Sequence, residues 1–198
     1  MYEDIKIIVA GGGTGGHLYP AIALVKEIES RFKKSQILFF GTSRGIEAKL
    51  VPELGYPIKL IWLKGVQRTL TLKNLLIPLQ LIVSFFQCFV TLVKFRPDVV
   101  IGTGGYVSGP VVFIAAILGF PTVIQEQNSY PGVSTRLLAK VVDQVHLSFE
   151  ESEKYFPKKD KLHFSGNPIR SNLKAEKKEE AVTKFGLNTA KKTLLIFG

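Results

Sequence analysis

The chain has 198 residues, 46% of them hydrophobic, and carries 26 Lys and Arg against 16 Asp and Glu, a formal charge of +10. That is ample apolar material for a packed core, which excludes a disordered chain. The single Cys88 excludes an intramolecular disulfide and fits a reducing compartment, and no Cys/His cluster has metal-site spacing.

The N-terminus, Met1-Tyr2-Glu3-Asp4, is acidic and lacks the basic and apolar regions of a secretory signal, so the expected location is the cytoplasmic side. Residues 6–10 read as a first strand. Leu18 to Phe32 read as a first helix, with Ala21, Ile22, Val25, Ile28 and Phe32 at helical spacing and Pro20 in the first turn. Gly11-Gly12-Gly13-Thr14-Gly15-Gly16-His17 joins the two. A glycine loop opening a helix brings backbone N–H groups and the positive end of the helix dipole to one place, which favours a phosphate or diphosphate; a plain tight βα turn has the same composition. A second strand over 36–40 ends at Gly41-Thr42-Ser43, a short helix over 46–54 is disturbed by Pro52, and 58–63 alternates as a third strand. The order βαβαβ predicts a Rossmann-like, doubly wound parallel sheet.

From Leu54 to Pro97 there is no acidic residue, only Lys59, Lys64, Arg68, Lys73, Lys94 and Arg96. Inside this basic segment lie twenty uncharged residues, Asn74 to Val93. Gln80, Ser84, Gln87 and Thr91 recur at helical spacing, a narrow polar stripe on an otherwise apolar helix. The pattern predicts an interfacial helix rather than a span: Leu75, Leu76, Ile77, Leu79, Phe85 and Phe86 meet the acyl boundary, and Lys64, Arg68 and Lys73 meet anionic headgroups. Position by position, a buried core helix reads the same. Nucleic acid is not the expected partner, because the basic residues are not interleaved with aromatics.

After a strand from Asp98 to Gly102, Ile101-Gly102-Thr103-Gly104-Gly105-Tyr106-Val107-Ser108-Gly109-Pro110 echoes the first loop, and both are expected to line one cleft at the carboxyl ends of their strands. A helix over 111–118 and a strand over 121–124 lead to Gln125-Glu126-Gln127-Asn128, a polar group suited to hydroxyl recognition. A short helix over 133–140 and a strand over 144–148 follow. Gly166 to Pro168 read as a hinge, because the composition then turns to a charged helical stretch over 174–185, and 193–197 is a fresh apolar strand.

Gly12 to His17, Gly102 to Pro110, Gln125 to Asn128 and Gly166-Asn167-Pro168-Ile169-Arg170, in this order, resemble the N-terminal half of the MurG family of glycosyltransferases, and the resemblance covers essentially all 198 residues. It implies a GT-B fold, two Rossmann-like domains facing a cleft. Residues 1–166 are then the acceptor-binding, membrane-associating domain, and 167–198 the hinge and the truncated start of the donor-binding domain. The implied reaction is inverting transfer of N-acetylglucosamine from UDP-GlcNAc to the C4 hydroxyl of MurNAc in lipid I, forming lipid II. The implied partners are lipid I, an anionic membrane surface and other cell-wall synthesis proteins, with the protein peripheral on the cytoplasmic membrane face. The family's third glycine loop and most of its donor site fall beyond Gly198, so this chain alone is expected to transfer sugar poorly or not at all.

Within that frame His17 is the first candidate for the base, since an imidazole takes up protons near neutral pH, with a helix cap or phosphate ligand as its other reading. Glu126 is the rival base or a ligand for sugar hydroxyls. Thr14, Gly15 and Gly16 offer N–H groups to the donor diphosphate, and Gly104, Gly105 and Tyr106 to the acceptor pyrophosphate. By resemblance Asn128 and Arg170 reach the donor. No cofactor and no essential metal is expected. Three other readings compete: the same architecture acting on another acceptor, a membrane-docking subunit needing a separate catalytic partner, and a dehydrogenase. The last is disfavoured because the second strand ends Phe39-Phe40-Gly41-Thr42-Ser43 without a ribose-binding acid.

Overall fold

A computed structural model describes residues 4–65, 76–170, 177–188 and 191–194. Seven strands form one sheet: β1 (Asp4–Gly11), β2 (Lys34–Gly41), β3 (Ile58–Leu60), β4 (Val99–Gly104), β5 (Thr122–Glu126), β6 (Gln144–Leu147) and β7 (Leu162–Phe164). Every neighbouring pair is parallel, and the spatial order is β3-β2-β1-β4-β5-β6-β7. The helices are α1 (Gly15–Arg31), α2 (Glu47–Glu53), α3 (Ile77–Phe95), α4 (Gly105–Ile117), α5 (Val133–Leu138) and α6 (Lys178–Lys184).

The strands are apolar in continuous runs because both faces of the sheet are covered. Ile7, Val9, Ile37, Phe39 and Ile101 meet Leu18, Ala21, Ile22 and Val25 of α1 and Val51 of α2. The alternate positions Ile8, Ala10, Phe40, Val100, Ile124, Val145 and Leu147 meet Cys88 and Leu92 of α3, Val107, Val111 and Ala115 of α4, and Leu138 of α5. This is the expected doubly wound sheet. The order reverses at β1, which lies between β2 and β4, and that is where such a sheet opens its crevice.

Several boundaries differ from the sequence reading. The stretch 102–110, read as a loop, is a strand end and a helix start, the turn being compressed into Gly104 and Gly105 at φ 102° and 78°. A side chain at Gly105 would overlap the Gly12 carbonyl oxygen, so neither the backbone angle nor the space admits one. β7 was not anticipated, since three residues are too few to show an alternation. Of the strand expected over 193–197, Thr193 and Leu194 are in no strand and the remainder lies outside the described residues, as do Arg68, Lys73 and Leu75. α6 buries none of its residues.

α3 is inside out. Its inward row is Gln80, Ser84, Cys88 and Leu92, whereas Leu79, Ile82, Phe86, Phe89 and Val93 are exposed, Phe86 at 68%. On the inward row Ser84 donates to the Leu81 carbonyl, while Gln80 Oε1 is buried with no hydrogen-bond partner among the described residues; on the half-buried flank Thr91 donates to the Gln87 carbonyl and Gln87 accepts the Trp62 N–H at 2.9 Å. Phe85 departs from its expected place at the membrane side: it is half-buried and packs on Phe113 of α4, ring centroids 5.7 Å apart. The helix is long and apolar enough to cross a membrane, yet only 22% of its apolar window is buried within the protein.

Candidate active site

β1 and β4 run side by side to their carboxyl ends, where Gly11 pairs with Gly104, so both glycine loops share one rim. The first turns sharply into α1. Thr14 is its extended N-cap and makes no side-chain cap hydrogen bond, and Thr14 and Gly16 are exposed. At the start of a helix the N–H groups of Gly15 and Gly16 have no intrahelical acceptor, so they are open to an anion.

A residue absent from the sequence reading holds this loop from below. Glu47, the first residue of α2, is fully buried. Its Oε2 accepts the Gly13 N–H at 2.9 Å, and its Oε1 accepts the Thr42 N–H at 2.9 Å and the Thr42 hydroxyl at 3.3 Å. Because Thr42 Oγ1 donates to the carboxylate, it accepts from the Tyr106 hydroxyl, 2.8 Å away. Tyr106 also packs beside Gly13, so this relay ties the second loop to the first. In the sequence Glu47 passes for an ordinary acid in the first turn of a helix; its position just after Gly41-Thr42-Ser43-Arg44-Gly45 was the available signal.

His17 lies two residues into α1, half-buried, facing the second loop. Its Nδ1 is 3.1 Å from the Thr103 carbonyl oxygen and 3.1 Å from Gln127 Oε1, and its backbone carbonyl accepts from Thr103 Oγ1 at 2.8 Å. Among the described residues its Nε2 has no hydrogen-bond partner. Gln127 belongs to the polar motif, and the sequence alone shows no partner for it.

The remaining candidates separate by geometry. The Gly104 N–H donates to Ser108 Oγ at 3.1 Å, and Ser108 in turn donates to the Ala10 carbonyl at 2.5 Å, so the pyrophosphate contact expected of Gly104 is pre-empted. Its part is the turn itself, and the N–H groups of Gly105 and Tyr106 at the start of α4 are the ones placed for an anion. Glu126 is 2% exposed, with Oε1 accepting the Asn128 N–H at 3.0 Å and the Asn128 side-chain amide at 2.8 Å, and Oε2 accepting the Gly132 N–H at 3.1 Å. A carboxylate so placed organises the loop into α5 and is poorly disposed to receive a substrate proton. Asn128 is exposed beside it. The Arg170 guanidinium sits 5.7 Å from the Tyr19 ring centroid, against the first turn of α1. Among the described residues no three His, Cys, Asp or Glu side chains are grouped to hold a metal ion.

Residues 7–147 match the model of the glycosyltransferase family 28 N-terminal domain. A UDP-N-acetylglucosamine–N-acetylmuramyl-(pentapeptide) pyrophosphoryl-undecaprenol N-acetylglucosamine transferase of Flavobacterium psychrophilum is 48% identical over 99% of this chain and 54% of its own length. The same-named protein of Desulforamulus reducens is 45% identical over 98% and 52%. The chain thus spans about half the length of the curated relatives it matches. Among solved structures, Acinetobacter baumannii MurG is similar at a TM-score of 0.69 and 27% identity, over 85% of this chain and 47% of that one.

Proposed function

The chain belongs to glycosyltransferase family 28 through its N-terminal domain, and from that premise we propose that it is the acceptor-binding half of an enzyme that moves N-acetylglucosamine from UDP-GlcNAc to the C4 hydroxyl of MurNAc on lipid I, yielding lipid II. Residues 167–198 begin the donor-binding domain in this reading. The observation that carries it is His17, its Nε2 unengaged among the described residues, set between two helix N-termini on one rim.

In the proposed step the acceptor C4 oxygen attacks the anomeric carbon from the side opposite UDP. Its proton passes to His17 Nε2, and the bond from C1 to the diphosphate oxygen breaks with its electron pair going to UDP. The N–H groups of Thr14, Gly15 and Gly16 hold the departing charge; those of Gly105 and Tyr106 hold the acceptor pyrophosphate. Asn128 and Arg170 reach the donor from the rim. Oriented N–H dipoles supply the charge stabilisation that a bound metal supplies elsewhere.

The outer face of α3 supports peripheral attachment to the cytoplasmic face of the membrane. Leu76, Leu79, Ile82, Phe86 and Phe89 are exposed together, and Lys64 is exposed close by in the sequence. The sequence reading adds Arg68, Lys73 and Leu75, which lie outside the described residues.

The test uses the full-length protein with lipid I and UDP-GlcNAc. His17→Ala is expected to lower kcat by about 10²- to 10⁴-fold while UDP-GlcNAc affinity changes little. Near-normal turnover removes His17 as the base, and turnover on a plain sugar acceptor but not on lipid I replaces the acceptor.

A further inference from the structure

We infer that Gln127 is the positioning residue for His17, holding the imidazole as the Nδ1–H tautomer so that Nε2 presents its lone pair to the acceptor hydroxyl. The inference rests on His17 being the base, and its geometry stands on atoms whose hydrogen-bonding sense is fixed. A backbone carbonyl only accepts. The Thr103 carbonyl oxygen lies 3.1 Å from His17 Nδ1, so that nitrogen carries the proton. The same carbonyl lies 2.7 Å from Gln127 Nε2, and the Gln125 carbonyl lies 3.3 Å from it, so the amide nitrogen faces these oxygens and the amide oxygen is turned to the ring. Gln127 Oε1 then accepts from Nδ1–H at 3.1 Å. One N–H is shared between two acceptors, and one carbonyl between two donors.

The amide is itself held. Gln127 Nε2 also donates to Gln125 Oε1, and Gln125 Nε2 donates to Ser148 Oγ at 2.9 Å. Gln125 is 3% exposed and Ser148 8%, so the hydrogen-bonded link that starts at Ser148, just after β6, is buried up to the half-buried Gln127 and His17. Gly104 and Gly105 lie against the ring beside the Thr103 carbonyl, and among the described residues no charged side chain hydrogen-bonds to it. A site needing both a donor toward Thr103 and an acceptor toward Nδ1 takes an amide and rejects a carboxylate, which would set an anionic oxygen against two carbonyls. Gln127 therefore orients the ring without placing a charge beside it, whereas a carboxylate there would favour the protonated imidazole.

The test reads the tautomer without turnover. Long-range ¹H–¹⁵N spectra of the ¹⁵N-labelled chain above pH 8 cover only three histidines, and His146→Gln and His163→Gln assign them. Native His17 is expected as Nδ1–H with Nε2 unprotonated; an Nε2–H signal in the native chain overturns the inference, whatever any variant does. In Gln127→Met, which keeps the length and removes all four of the side chain's hydrogen bonds, the Thr103 carbonyl alone is left to hold Nδ1–H and the second tautomer should appear. In the full-length enzyme the same variant should lose about tenfold in kcat with the KM for UDP-GlcNAc unchanged, and Gln127→Glu should not rescue it. A Gln127→Met spectrum and kcat indistinguishable from native overturn the inference. Should His17→Ala retain turnover while the native tautomer is as stated, it is the base assignment that fails.

Discussion

The rim of the sheet and the outer face of α3 break the rule of apolar inside and polar outside in opposite directions. At the rim, Glu47, Glu126, Gln125 and Thr103 are buried and every one is hydrogen-bonded. On α3, Ile82 and Phe86 are exposed, and among the described residues nothing covers them. Buried polar groups cost free energy unless partnered, so the rim is complete and rigid before any ligand arrives. Exposed apolar groups gain free energy when a surface buries them, so the α3 face is open to association. One region is preorganised and the other is open, and substitutions should separate them: rim variants act on stability, α3 variants on association.

The largest effect is expected from Gly105→Val. Its φ of 78° and the Gly12 carbonyl against it leave no place for a side chain, so urea unfolding should show a loss of about 4 kcal/mol. An unchanged midpoint would mean the loops yield, and the contrast with α3 would collapse. Glu47→Ala comes next, leaving the Gly13 and Thr42 N–H groups buried without an acceptor, at about 3 kcal/mol; Glu47→Gln, which keeps the volume, should lose less. Phe86→Asp should leave the unfolding midpoint within about 0.5 kcal/mol yet weaken sedimentation with anionic vesicles by about tenfold. Equal vesicle binding by this variant would move the membrane surface away from α3.

The smallest effect concerns pH. His146 of β6 stacks on His163 at 5.1 Å, and burial first, then the charge of His163, lower its pKa. The folded chain thus takes this proton less readily than the unfolded one. Its contribution is present above the ordinary pKa of about 6.5 and is lost as pH falls below it. His146→Gln should flatten the dependence of the urea midpoint between about pH 7.5 and 5.5; an unaltered slope would assign it to other groups.

The parallel sheet was legible because apolar runs of strand length alternated with helical spacing, and the two loops because Gly-rich turns after strands leave few alternatives. The outward apolar face of α3 was legible too, since Gln80 and Ser84 could be placed on one stripe. Glu47 and Gln127 were not, because a sequence states the residue type and withholds the partner. Glu47 meets Gly13, 34 positions away, and Gln127 meets His17, 110 positions away. Glu126 is a case of the same kind: the sequence offers it as a rival base or a ligand for sugar hydroxyls, and only the fold shows its carboxylate accepting from the Asn128 and Gly132 N–H groups.

Cys88, on the inward row of α3, has a thiol pushed by burial up to about 12. Since thiolate, not thiol, reacts with alkylating probes, the native chain is expected to be silent to maleimides at neutral pH. A reporter fluorophore introduced through Phe86→Cys or Ile82→Cys would then sit at a single address, one turn apart on the outer face, and its emission would tell whether either turn of α3 enters a bilayer.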